Sequence, residues 1–369
     1  VIVDVHAHII VPEITRGWRS AGRSGVDPPD PWRPLVRRDG GAQVVEFGGR
    51  SIRSAVGEFV DVARMLEEAS ACGVDRLVLS PWVNLLPYDL DPPAALRACR
   101  VQNDALAARC AAFPDRIGAL GAVPLQDPAA AAAELARLMA EGVLGGVEVA
   151  ASVAGAWLGE DRFLPFWEAA EATAAVVLVH PTTRGFDLPV LERHYLWNTV
   201  GNPLETAVTG AHLVTAGVLE RFPRLRVVLA HGGGALLAVR GRLRKAHSFQ
   251  PQARARLSEP PDASLRRLYY DTVTHDAELL WALIAYAGAG HVLLGSDRPF
   301  DMGTADPVGE VRALGLDPDD ERAVLGGNAA ALRQRRHDRR VRRGGRRRRA
   351  QQPGRRRLPG QGGAALPGP

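Results

Sequence analysis

The sequence predicts an α/β fold, a (β/α)8 barrel of the TIM type, and three observations carry that expectation. Eight short β-branched runs alternate with longer helical patterns from residue 1 to about residue 332, as in a parallel sheet whose strands are joined by crossover helices. The first run leads into His8-Ile9-Ile10-Val11-Pro12, not into the glycine-rich phosphate turn that an open doubly wound sheet would place there. Roughly 45 residues without clear periodicity then pass before the first helix. In a barrel that segment leaves the C-terminal end of a strand, the face on which such folds build their sites.

Strands are expected at 1–9, 76–80, 117–123, 146–150, 176–180, 226–231, 268–272 and 292–296. Between them, apolar residues recur at spacings of three and four over 58–71, 94–112, 128–141, 164–173, 204–221 and 277–287, the helical period. The domain expectation is one barrel over 1–332, with 11–57 as an inserted loop region. After Asn328-Ala329-Ala330-Ala331-Leu332 the composition turns to Arg, Gly, Pro and Gln, which cannot bury enough apolar surface to fold, so 333–369 is expected to be a disordered basic tail.

Charge divides along the same boundary. Residues 333–369 hold 14 arginines against Asp338 alone, a formal +13, which leaves the body at about −8 within the total of +5. The alkaline pI is therefore a property of the tail. An Arg-rich tract can neutralise phosphates, but this one has no aromatic residues interleaved to stack on bases, and nucleic acid is not an expected partner. No apolar run approaches the roughly 20 residues of a membrane span, and the chain opens on Val1-Ile2-Val3-Asp4-Val5 without a secretory pattern. The expectation is a cytoplasmic enzyme without a membrane partner. The three cysteines, Cys72, Cys99 and Cys110, are far apart and odd in number, which argues against a disulfide framework and for buried apolar roles.

The chemistry is expected at the strand ends. His6 and His8 are two residues apart, so the strand period places both imidazoles on one face. His180 ends Val176-Val177-Leu178-Val179, His231 ends Val227-Val228-Leu229-Ala230 before Gly232-Gly233-Gly234, and Asp297 follows Val292-Leu293-Leu294-Gly295-Ser296. One such residue at a strand end is commonly a hydrogen-bonded surface group; four strand ends carrying only metal-type side chains are not. Three imidazoles, His6, His8 and His180, with the Asp297 carboxylate make a shell suited to one divalent metal ion, Zn2+ first, with Mn2+ or Fe2+ as alternatives. His231 is then assigned as the catalytic proton carrier, because an imidazole titrates near neutral pH. The sole lysine, Lys245, lies inside a helical stretch and not at the end of the fourth strand. No carboxylated lysine can bridge a second ion there, and a mononuclear site is expected. Among the other histidines, His275 is kept as a group supporting the site.

The motifs Asp4-Val5-His6-Ala7-His8, Val179-His180-Pro181, Ala230-His231-Gly232-Gly233-Gly234 and Gly295-Ser296-Asp297-Arg298-Pro299-Phe300 resemble those of the amidohydrolase superfamily. Within it they are most similar to the amidohydrolase-related decarboxylases of the aminocarboxymuconate-semialdehyde type. The likeness runs over 1–332 and takes in Ala122-Val123-Pro124-Leu125-Gln126-Asp127, Pro203-Leu204-Glu205-Thr206 and Gly327-Asn328-Ala329. It implies zinc on His6, His8, His180 and Asp297, and proton handling by His231. It also implies two arginines gripping substrate carboxylates, Arg53 in the long first loop and Arg242 in the helix after the glycines, the second across a homodimer interface, with Arg50 and Arg240 as neighbouring choices. Thr182 stands where that type has tryptophan after the His-Pro pair, and 184–197 looks dissimilar, so the exact substrate does not transfer.

The function expected is metal-dependent nonoxidative decarboxylation of a small unsaturated or aromatic carboxylic acid. The alternative on the same scaffold is a metal-dependent hydrolase or hydratase, since a fold does not settle a reaction. An inactive barrel binding partners through its basic tail is the third reading.

Overall fold

A computed structural model of the chain describes residues 1–15, 32–39, 42–182, 185–186 and 188–333. The chain begins with β1 (Val3–Ile9), followed by an antiparallel meander of β2 (Leu35–Asp39), β3 (Ala42–Phe47) and β4 (Arg50–Ser54). There follow β5 (Arg76–Pro81), β6 (Ile117–Ala119), β7 (Gly146–Ala150), a short hairpin of β8 (Ser152–Val153) and β9 (Ala156–Trp157), β10 (Val176–His180), β11 (Arg226–Leu229), β12 (Tyr269–Asp271) and β13 (Val292–Leu293).

Eight of these strands form a ring. Parallel pairing runs β1-β5-β6 and β7-β10-β11-β12-β13. Two junctions close the circle. Gly121 bridges Val147, its N–H donating to the Gly146 carbonyl at 2.9 Å while Glu148 N–H donates to the Gly121 carbonyl at 2.8 Å. On the other side Val5 N–H donates to Leu294 O (2.9 Å), Asp297 N–H to His6 O (2.8 Å) and His8 N–H to Arg298 O (2.7 Å). The closed barrel expected from the alternation is the fold observed, and the second junction places Asp297 beside the two histidines of β1.

The crossover helices start where the sequence supplies caps. Asp91, Asp127 and Asp276 accept from the amides of Ala94, Ala130 and Leu279, satisfying amide donors that have no partner within the helix. Helix 58–71 is divided: α1 (Val56–Val60) and α2 (Val62–Ala71) meet at Asp61, whose side chain caps the second by accepting from Arg64 N. The pattern over 204–221 is divided too, into Asn202–Thr215 and Val218–Arg221, at Gly217 with φ +74°. A side chain there would meet the Arg256 carbonyl at 2.6 Å.

Two regions differ from a plain reading of the pattern. The insertion is not aperiodic throughout: β2–β4 bury Val36, Val45 and Phe47 against the barrel and expose Arg37 and Arg38. The Gly48-Gly49 turn between β3 and β4, with φ +55° and +75°, has the left-handed backbone that a two-residue hairpin requires. The tail beyond Arg333 lies outside the described residues. Among the described residues no helix is long and apolar enough to cross a membrane.

Candidate active site

The five residues named from strand ends converge. His6 Nε2 lies 3.0 Å from His8 Nε2, and Asp297 Oδ1 lies 3.2 Å from His6 Nε2, 3.0 Å from His8 Nε2 and 3.6 Å from His180 Nε2. His231 Nε2 faces the other carboxylate oxygen, Oδ2, at 3.3 Å. His6, His8, His180 and Asp297 are buried, whereas His231 keeps 16% of its side chain exposed at the floor of a cleft of about 300 Å3. Both His231 and Asp297 have positive φ, +57° and +59°, an unfavourable backbone for a residue with a side chain, and such strain concentrates at functional sites.

The outer nitrogens determine the tautomers. His8 Nδ1 is 3.3 Å from the Pro81 carbonyl and His180 Nδ1 is 2.8 Å from the Pro181 carbonyl. A carbonyl can only accept, so both Nδ1 atoms carry the hydrogen, and the neutral rings present Nε2 lone pairs to the centre. His6 Nδ1 donates to Asp271 Oδ2 at 2.6 Å, with the same result. Three Nε2 atoms and a carboxylate oxygen thus face one another at contact distance, and a positive charge among them, a proton on His6 or a metal ion, makes that arrangement favourable.

Electrostatics lead to the same conclusion. Burial holds His180 neutral, with its pKa lowered to about 3. Burial also acts to lower the His6 pKa, but the carboxylates of Asp297 and Asp271 outweigh it and raise it well above the usual value. For Asp297 burial opposes ionisation, yet His6 and the adjoining His180 and His231 imidazoles hold it well below the usual carboxylate range. The centre is an anionic pocket that attracts a cation. His180 Nε2 and Asp297 Oδ1 have no hydrogen-bond partner, and the four groups His6, His180, His231 and Asp297 offer ligand atoms within 4.8 Å of one another. The residues present fit a divalent metal ion.

Sequence reasoning missed the carboxylates behind this centre. Asp271, at the end of β12, accepts from His6 Nδ1 and His231 N (3.0 Å) with Oδ2, and from Gly232 N (2.8 Å) and Val273 N (3.0 Å) with Oδ1. Asp4 accepts from His6 N at 3.0 Å and from the Ser296 amide and hydroxyl, joining β1 to the Asp297 turn. Glu148, on β7, is fully buried 3.6 Å from His8 Nδ1, and burial raises its pKa. Asp4 and Glu148 lie inside apolar runs and Asp271 ends one, a pattern visible in the sequence.

The arginines fall elsewhere. Arg53 is exposed on β4, at a hollow shared with Gln43, Glu58 and Arg64, and Arg242 is exposed on the helix Leu236–Phe249. Neither lines the cleft of a single chain. Arg50 comes nearer, donating to the carbonyl of the cleft residue Asn84 at 3.3 Å, and Arg240 lies over the Tyr286 ring at 5.0 Å. His275 lines the cleft near its mouth. The cleft wall is otherwise aromatic and amide-bearing, with Tyr195, Trp197, Phe300, Asn84 and Asn198.

An eight-stranded parallel barrel with a histidine and aspartate centre at the C-terminal strand ends defines a class, and the chain belongs to it: the amidohydrolase family profile matches residues 89–332. The relatives within that family are decarboxylases. A 2-amino-3-carboxymuconate-6-semialdehyde decarboxylase of Dictyostelium discoideum is 27% identical over 330 residues, covering 89% of this chain and 90% of the relative. A 6-methylsalicylic acid decarboxylase of Penicillium expansum is 31% identical over 228 residues, covering 60% and 68%. Among solved structures, 5-carboxyvanillate decarboxylase from Sphingomonas paucimobilis superposes with a TM-score of 0.69 at 28% identity, covering 76% of this chain and 85% of that one. The chain is thus an enzyme of the amidohydrolase family whose relatives are carboxy-lyases.

Proposed function

We propose that this enzyme removes carbon dioxide, without oxidation, from a small unsaturated or aromatic carboxylic acid, using one divalent metal ion. The observation that carries the reading is the convergence of three imidazole lone pairs and a carboxylate below an aromatic-walled cleft. His6, His8, His180 and Asp297 would hold the ion, zinc first, with manganese or iron suited to the same donors. When bound, such an ion acts as a Lewis acid toward a substrate oxygen.

The chain's own residues do the rest. Asn84 and Asn198 can orient the acid by hydrogen bonds, and Trp197 and Phe300 offer faces to a planar substrate. The bond between the carboxylate and the conjugated carbon breaks with its electron pair left on carbon, carbon dioxide departs, and a proton from His231 Nε2 takes the vacated position. His231 suits this role because it reaches the cleft while meeting only the outer oxygen of Asp297. The competing ligand set, with His231 in place of His8, rests on the same cluster. The closer approach of His8 to both His6 and Asp297 favours His8 as the ligand and leaves His231 for proton transfer.

Arg53 and Arg242 would act on a substrate carboxylate only after loop movement or from a second subunit. A homodimer is part of the proposal, supported by the exposed apolar side chains of Val190, Val200, Leu204 and Val208. The decisive experiment is to measure carbon dioxide release by metal-loaded protein across a panel of unsaturated and phenolic acids, with the same preparation sized in solution. Release with stoichiometric loss of acid is expected. Consumption of amides, esters or enoates without carbon dioxide would favour the hydrolase or hydratase alternative.

A further inference from the structure

Behind the cleft lies a second cavity of about 180 Å3. The two share Val83 and Thr182 as their dividing wall. Small residues border one side of it. Ala154 and Gly155 make the turn of the β8–β9 hairpin with φ +49° and +80°, and nothing lies within 4 Å of where a Cβ on Gly155 would stand.

The dividing wall is held from behind by one buried acid. Glu205 is fully buried and accepts from Thr182 N at 2.7 Å, Thr182 Oγ1 at 3.3 Å and Ser152 Oγ at 2.7 Å. A buried carboxylate is tolerated only when hydrogen-bonded, and here its partners are a residue of the dividing wall and a residue of the inner cavity. Thr182 is therefore fixed where the two spaces adjoin. The lining is mixed. Val83, Leu86 and Ala150 are apolar, whereas Tyr88, Asp89 and Ser152 bring polar groups, with Asp89 paired to Arg50 at 3.4 Å.

We infer that the side cavity is a substrate subsite, and that the acid processed in the cleft carries a second, short arm ending in an amino or hydroxyl group that passes Thr182 to reach Asp89. An apolar arm would desolvate these polar groups with no return. A second carboxylate would have to displace Asp89 from Arg50. The inference rests on the reading of the cleft as a site for small conjugated acids, and it deepens that reading by naming the substituent.

The test uses product analogues and equilibrium binding, so it does not depend on turnover. Metal-loaded full-length protein is titrated by calorimetry with 3-methylphenol, 3-(hydroxymethyl)phenol, 3-(aminomethyl)phenol and 3-hydroxyphenylacetate. The hydroxymethyl and aminomethyl compounds are expected to bind about tenfold tighter than the methyl compound, the scale of one hydrogen bond to a charged group, with the acetate weakest. Thr182→Trp should close the passage and bring the affinities together. Asp89→Asn, on the partly exposed rim, should weaken the aminomethyl compound more than the hydroxymethyl one, and it decides the matter if Thr182→Trp does not fold.

Equal affinities in the unaltered protein, absence of binding by all four compounds, or an order untouched by both substitutions would overturn the subsite. Protein that ranks the phenols as expected but releases no carbon dioxide from any acid would instead refute the decarboxylase reading and leave the subsite standing.

Discussion

The inner centre and the outer wall of the cleft are built by opposite means. At the centre His6, His8 and His180 are buried, and each has its far nitrogen tied to a carbonyl or a carboxylate. At the wall Tyr195 and Trp197 are 37% and 41% exposed, on a segment of short turns outside the barrel. Strand ends leave little freedom, because the ring of backbone hydrogen bonds sets where each Cβ points. A surface segment can change its side chains without disturbing that ring. The comparison teaches that the centre is held by the fold itself, whereas the wall can change its side chains while the fold stays as it is.

The largest effect should come from breaking the centre. His180→Ala removes a donor whose lone pair is fixed by Pro181 O, leaving three protein ligands, so metal content should fall and activity with it. His231→Ala should retain its metal while turnover drops by about 100-fold or more, the scale of a lost general acid. Both proteins are purified under one metal supply, and elemental content is compared with rate. Loss of metal from His231→Ala to the same degree would move His231 into the coordination shell.

The next effect lies one layer out. Asp271→Asn keeps the shape but replaces one carboxylate oxygen with an amide group that cannot accept from both the His6 ring and the His231 backbone. Weaker anchoring of a ligand imidazole commonly lowers metal affinity by about 10–100-fold. Competition with a chelator of known affinity measures this directly, and an unchanged dissociation constant would show that the β1 strand alone orients His6.

How much of this was legible in the sequence follows from what each feature depends on. The barrel could be read because alternation of strand and helix is local, and His6, His8, His180, His231 and Asp297 could be read because a polar residue ending an apolar run stands out against its neighbours. Asp271 ends such a run as well, but its importance comes from meeting His6, 265 residues away in sequence, which no local pattern states. The meander β2–β4 escaped notice because its strands expose charged residues such as Arg37 and Arg38 on one face and the alternation is short, although Gly48-Gly49 marked its second turn. The positions of Arg53 and Arg242 outside the cleft follow from tertiary placement, since a spacing in the chain fixes which element carries a residue but not what that element faces. The side cavity behind Thr182 was illegible for a related reason: it is an absence of atoms bounded by residues from three separate segments.

The smallest effect should come from the wall, at Tyr195. Its hydroxyl donates to both oxygens of Asp301, at 3.1 and 3.0 Å. Partial burial, then the Asp301 carboxylate, pushes the phenol pKa up to about 12, so it stays protonated and donating at any working pH. This bond ties the outer segment to the loop that follows Asp297, and it does so across strained backbone, since His194 and Tyr195 have φ +55° and +63°. Tyr195→Phe keeps the ring, and with it the edge contact to Trp197 at 4.9 Å between centroids, but releases the tie. A hydrogen bond this exposed contributes about 0.5–1 kcal/mol net, so KM should rise by a factor of about 2 to 5. The rate at saturation should hardly change, because the Tyr195 hydroxyl bonds to Asp301 and to none of the imidazoles. Steady-state kinetics on an acid identified by the carbon dioxide screen separates the two parameters. A fall in kcat larger than the rise in KM would place Tyr195 in the chemistry, and the division between a fixed centre and a variable wall would have to be redrawn to include it.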